Sequence, residues 1–194
     1  SGGSESDNWA IKKIMIGRMN KGKHIITTKI EHHAILESCH YLEKLGFEVT
    51  YLNVDKDGII DLHELENSIR EDTIMVSIMA ANNEIGSIMP LKEIGEICKK
   101  HNIIFHTDAV QAYGNVNIDV NLMNIDLLST SAHKIEGPKG IGFLYVRKGV
   151  NILPLINGGM QERGKRAGTT NAPSIIGFAK AAELKFNEME KNNK

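Results

Sequence analysis

The sequence is poor in several features that would announce a function. It has two cysteines in 194 residues, Cys39 and Cys98, too few for a disulfide framework. That usage suits a reducing, cytosolic setting. It has no excess of either charge. Twenty-three Lys and Arg stand against 24 Asp and Glu, for a net charge of -1, so no broad attraction to nucleic acid or to an anionic membrane is implied. No apolar run exceeds the length of a strand, which excludes a bilayer span of the usual helical kind. HExxH and CxxC spacings are absent, and with them the common zinc patterns. There are no internal repeats and no low-complexity segments. The opening "SGGSESDNWA" has neither a Met nor a signal-peptide pattern, and the expectation is a chain that continues on either side.

What is present is a regular alternation of strand and helix signals. With 41% hydrophobic residues, the chain can bury one sizeable core. The β-branched run "HIITTKI" (24–30) reads as a strand. In "HHAILESCHYLEKLG" (32–46), Ile35, Leu36, Cys39, Leu42 and Leu45 recur at helical spacing, and Gly46 ends the run. Strands follow at 47–54, 73–81, 103–109, 125–132 and 141–147. Helices fit 61–70, 90–102 and 173–194, the last with a frayed polar end. "DKDG" (55–58) is a turn. Alternation of this kind indicates an α/β domain around a mostly parallel central sheet flanked by helices. Such sheets bind ligands at the carboxyl ends of their strands, so the residues just after each strand carry the functional information.

Each of those segments is ambiguous alone. In "HTDAVQ", Asp108 and Gln111 fit an ordinary D-x-x-Q capping box. The asparagines of "NNEIG" fit a turn in which Asn side chains bond their own backbone. His32 and His33 open a helix. The Gly-rich start precedes a periodic run, Trp9, Ile11, Ile14 and Met15. It reads either as a helix N-cap at Ser4 or Ser6, or as a place where backbone N–H groups approach a phosphate. In "STSAHKIEGPKGIGF", Lys134 is either a solvated strand end or a rigidly held nucleophile. Taken together the set is more specific. A phosphate cradle, an aromatic-sized ring (His32), two amides (Asn83, Gln111), a carboxylate (Asp108), a hydroxyl (Ser131) and a lysine (Lys134) all fall at strand ends. Pyridoxal 5'-phosphate needs that set: a lysine Schiff base and an acidic partner for its pyridine nitrogen.

In that order "SGGSESDN", "EHHAIL", "NNEIG", "HTDAVQ", "SAHKIEGPKGIGFLYVRKG" and "ERGKRAGTTN" resemble the motifs of the cysteine desulfurases. These NifS-like and IscS-like enzymes are class-V aminotransferase-fold proteins that depend on pyridoxal phosphate. The resemblance covers essentially the whole chain. It implies an aspartate aminotransferase-like large domain over 1–194, cut at both ends, with the 173–194 helix leading toward an absent small domain. Lys134 would carry the cofactor, with His133 beside it for proton transfer. Asp108 would hold the pyridinium proton, and His32 would stack on the ring. Asn83 and Gln111 would bond the ring hydroxyl. Gly3, Ser4 and Ser131 would bind the phosphate, and Thr169 would reach the phosphate of the neighbouring subunit of a homodimer. The implied reaction converts L-cysteine to L-alanine, with sulfur passed to an enzyme cysteine and then to an acceptor such as an iron–sulfur scaffold, in the cytoplasm.

The match has limits. The family's persulfide cysteine and its substrate-carboxylate arginine lie beyond this chain's end, so the chain alone is expected to be inactive. Cys39 and Cys98 share helical faces with apolar residues and are expected in the core. Ser4 stands where Thr is usual, Ala132 where Gly is common, and Glu136 where an aromatic is common. A selenocysteine lyase, a kynureninase-like hydrolase of the same fold, and a cofactor-binding fragment without turnover are the competing expectations.

Overall fold

The computed structural model describes residues 1–192. The last two positions of the expected 173–194 helix lie outside the described residues. In chain order the elements are α1 (Gly3–Gly17), β1 (His24–Thr28), α2 (His33–Glu43), β2 (Glu48–Leu52), α3 (Leu62–Asn67), β3 (Thr73–Ser77), α4 (Leu91–Lys100), β4 (Ile104–Asp108), β5 (Leu127–Ser129), β6 (Leu144–Val146) and α5 (Ala172–Asn192). A 3-10 turn, Ala132–Ile135, follows β5, and another spans Gln161–Gly164.

The six strands form one sheet in the order β2-β1-β3-β4-β5-β6. Strands β1 to β5 run parallel, and β6 pairs antiparallel with β5. The mostly parallel sheet expected from the sequence is therefore present. Strands β1 and β4 are buried along their whole length, which is why they read as continuous apolar or β-branched runs. Successive side chains alternate between two cores. Ile25, Met75, Ile104 and Leu127 face α1 and α2, with Ile11, Ile14, Ile35 and Leu42. Ile26, Val76, Phe105 and Leu128 face the other layer, with Leu65, Leu91 and Ile94 of α3 and α4. The single-residue offset follows from the two-residue period of a strand.

The chain runs from β1 outward to β2, then crosses back to place β3 on β1's other side. That reversal opens a crevice at the strands' carboxyl ends. The N-terminus of α1 lies over the same end. A Cβ on Gly142 would come 2.4 Å from the Thr130 carbonyl oxygen and 2.8 Å from Gly2 Cα. Only glycine lets these three backbones meet.

Four expectations need correction. Ser4 and Ser6 do not cap α1. Gly2 is the cap, and the Ser6 hydroxyl instead donates to the Gly2 carbonyl at 3.0 Å. Leu45 leaves the helical face because α2 ends at Glu43, and it is 48% exposed. No α-helix follows Asp108, so there is no capping box there; its Oδ1 accepts from the Val110 N–H at 2.8 Å in a local turn. Lys134 is not on a strand end. Strand β5 stops at Ser129, and Lys134 sits in the 3-10 turn, pinned by packing of Ala132 and Ile135 against Phe178 of α5.

Candidate active site

A cavity of about 200 Å³ occupies the crevice. Its lining includes Gly3, Ser4, His32, Asn83, Asp108, Gln111, His133 and Lys134. Eight residues named from five separate stretches of sequence thus share one space. Ser131 is buried beside it: its Oγ lies 2.8 Å from His133 Nδ1, and a Cβ on Gly2 would sit 3.6 Å from that Oγ. Thr169 is exposed and outside the cavity lining.

Each side chain is positioned by a local rule. His32 caps α2, its Nδ1 accepting from the Ala34 N–H at 3.1 Å. The ring is thereby fixed at the mouth of the crevice. The two asparagines divide their labour. Asn82 is buried and makes the turn, its Oδ1 accepting from the N–H groups of Glu84 at 2.8 Å and Ile85 at 3.1 Å. Asn83 is left exposed and lines the cavity. At α1 the cap residue Gly2 has no side chain to meet the first-turn N–H groups. A Cβ on Gly3 would lie 2.6 Å from Val110 Cγ2, so the helix start is closely packed on the Asp108 turn. Free helix amides with Ser4 and Ser131 nearby make an anion cradle.

The cavity wall also carries acids. Asp108 is 6% exposed. Burial pushes its pKa up, and the Val110 hydrogen bond and the charges of His32 and Lys134 pull it back. Asp7, one helical turn beyond Gly3, also lines the cavity and is buried. Burial, then the charge of Asp108, pushes its carboxyl well above the usual range. Its Oδ1 has no hydrogen-bond partner among the described residues. That oxygen lies 3.8 Å from Nε2 of the buried His106, and burial beside a second acid favours the protonated carboxyl. Asp7 was not singled out from the sequence. Gly3, Asp7, Ala10, Ile11 and Ile14 recur at helical spacing, and an acid in that apolar stripe was the available signal.

An anion cradle, an acid for a cationic ring, a ring to stack and an amine fit a phosphorylated pyridine aldehyde. Lys134 is exposed. Both cysteines are in the cores, as expected. Cys39 is 0% and Cys98 1% exposed, on opposite faces of the sheet. Burial pushes the Cys39 thiol up to about 12 and the Cys98 thiol further. No group of three or more potential metal ligands occurs among the described residues, and no described helix is long and apolar enough to cross a membrane.

A family model of the class-V aminotransferases matches residues 1–194. The chain is 63% identical over 194 residues to the cysteine desulfurase IscS of Methanosarcina thermophila, which covers 100% of this chain and 48% of that protein. It is 61% identical over 193 residues to the cysteine desulfurase IscS of Clostridium botulinum (strain Hall), covering 100% of this chain and 49% of that protein. The chain thus spans about half the length of the curated relatives it matches. Among solved structures, a NifS-like protein superposes with a TM-score of 0.95 at 47% identity, over 98% of this chain and 53% of that one. SspA in complex with cysteine superposes with a TM-score of 0.91 at 46% identity, over 94% and 53%.

Proposed function

This chain belongs to the class-V aminotransferase family, and we propose that it is the cofactor-binding large domain of a cysteine desulfurase that uses pyridoxal 5'-phosphate. The observation that carries the reading is the gathering of Lys134, Asp108 and His32 in one cavity beside the N-terminus of α1. When bound, the cofactor supplies an electron sink that labilises bonds at a substrate amino acid. The chain's own residues do the rest. First-turn amides of α1, with Ser4 and Ser131, hold the phosphate. Lys134 supplies the amine that tethers the cofactor. Asp108 holds a proton on the ring nitrogen, because a buried carboxylate favours a cation beside it. His133, fixed at Nδ1 by Ser131, exchanges a proton through Nε2. His32 covers the ring face, and Asn83 and Gln111 bond its hydroxyl.

The substrate is L-cysteine, which becomes L-alanine as its sulfur passes to a thiol. Cys39 and Cys98 are not that thiol, because a buried thiol with a raised pKa is a poor nucleophile. The segment bearing Thr169 is anchored at the cavity's edge. Arg166 donates to Glu5 of α1 at 2.9 Å, and its guanidinium lowers the Glu5 carboxyl to about 2. Thr169, exposed past this anchor, serves the phosphate of a second copy in a homodimer. An iron–sulfur scaffold is the acceptor class.

The test is chemical. The chain should turn yellow with pyridoxal phosphate, and borohydride should fix the cofactor on Lys134. Peptide mapping that finds the label on another lysine overturns the reading.

A further inference from the structure

The pairing of β1 with β3 ends at Ile26 opposite Val76. Beyond that point no further residues of the two strands pair in register. Two buried side chains take over. Glu31, 5% exposed, accepts at Oε1 from the Thr28 hydroxyl at 2.9 Å and from the Met79 N–H at 2.9 Å. Asn82, 6% exposed, donates from Nδ2 to the Ile30 carbonyl at 2.9 Å. One bond runs from the loop after β1 to the loop after β3, and the other runs back.

The residues next in sequence to these two are His32 and Asn83, both exposed and both on the cavity wall. Exposed side chains on loops are held only as well as their backbone. Here each backbone is held by its buried neighbour across the crevice. The Asn82 Oδ1 bonds to Glu84 and Ile85 extend the same fixing into the turn.

We propose that Glu31 and Asn82 form a reciprocal clasp across the β1–β3 crevice, and that they are positioning residues which set His32 and Asn83 for a planar cationic ring. This rests on the cofactor reading above. The clasp touches neither substrate nor cofactor. It removes the freedom of two loops before a ligand arrives, so that binding does not have to order them.

The test uses this chain with Glu31→Ala, Glu31→Gln and Asn82→Ala. Two quantities are read: affinity for pyridoxal phosphate, from the absorbance of the bound cofactor, and amide hydrogen exchange in the cofactor-free chain. Glu31→Ala and Asn82→Ala should each weaken cofactor affinity by about tenfold, the scale of one or two buried hydrogen bonds. Amide exchange at Met79 should quicken in Glu31→Ala, and at Glu84 and Ile85 in Asn82→Ala. Glu31→Gln keeps the Oε1 acceptor and should restore both quantities. Wild-type affinity in both alanine variants overturns the clasp, as does a glutamine variant no better than alanine. If Glu31→Ala does not fold, Asn82→Ala and Glu31→Gln carry the same comparison. If the unaltered chain binds no pyridoxal phosphate, the cofactor reading has failed. The exchange data then decide the clasp alone: unchanged exchange at Met79, Glu84 and Ile85 overturns it.

Discussion

The two ends of the parallel sheet treat buried polar groups in opposite ways. At the amino end of β1, His24 is fully buried, and both ring nitrogens are used: Nδ1 lies 2.7 Å from the Thr73 hydroxyl and Nε2 2.8 Å from that of Thr50. Arg70 closes the same end with Glu48 and Asp72. At the carboxyl end, Asp7, Glu31 and Asp108 are equally buried. Yet Oδ1 of Asp7 and Oε2 of Glu31 find no partner among the described residues. A buried polar atom without a partner costs about 1–3 kcal/mol. The amino end is finished by folding, and the carboxyl end keeps unpaired acid oxygens, that of Asp7 on the cavity wall. Residue type does not separate the two ends; the state of their hydrogen bonds does.

The largest expected effect breaks the carboxyl end. Asp108→Ala should slow the reaction of bound cofactor with cysteine by about a hundredfold, the scale of losing one preorganised electrostatic contact. The fold should lose no more than about 1 kcal/mol, from the bond to Val110. Absorbance kinetics and melting on one sample check both. A large loss of stability with an unaltered reaction would make Asp108 a structural residue like His24.

The amino end should respond in the reverse sense. His24→Ala leaves two threonine hydroxyls unpaired and a cavity, and should cost about 3 kcal/mol of stability. Cofactor affinity per folded molecule should be unchanged, as read by titration after correcting for the unfolded fraction. A selective loss of affinity would show that the two ends are not separable.

The smallest effect sharpens the comparison through pH. Burial raises the Glu31 carboxyl to about 8, whereas in the unfolded chain it titrates near ~4.3. The folded state therefore holds its proton longer. The associated stability is complete below the ordinary carboxylate range and is lost as pH rises to about 8, by at most ~1.4 kcal/mol per pH unit. His106 works in the other direction. Buried between Ser77 and Ser129, it is held down to about 3, so stability rises with pH up to about 6.5 as the unfolded chain loses its proton. The two offset each other in acid. Cofactor-free chain should then lose stability from roughly pH 6.5 to 8, and Glu31→Gln should lessen that loss, Asp7 still contributing in the same sense. Parallel curves for the two proteins would place Glu31 in the same finished class as His24.

Element types and the chemical inventory of the site were written in local pattern. β-branched runs gave strands, helical spacing gave α1, α2 and α4, and Lys134, Asp108, His32, Asn83 and Gln111 could all be found just after strands. Short-range rules suffice there, because backbone period and turn chemistry depend on near neighbours. What only the tertiary structure decided depends on partners far along the chain. Nothing near Glu31 in sequence shows that its oxygen meets the N–H of Met79, 48 residues away. Nothing in "NNEIG" separates the buried Asn82 from the cavity-lining Asn83. The glycine cap of α1, the inward turn of Asp7, the division of the two buried cysteines between opposite faces and the exposure of Lys134 were settled in the same way. Whether a polar group is buried, and whether it is satisfied once buried, is a property of the surfaces that pack around it, and those surfaces come from strands and helices that the chain brings together only when it folds.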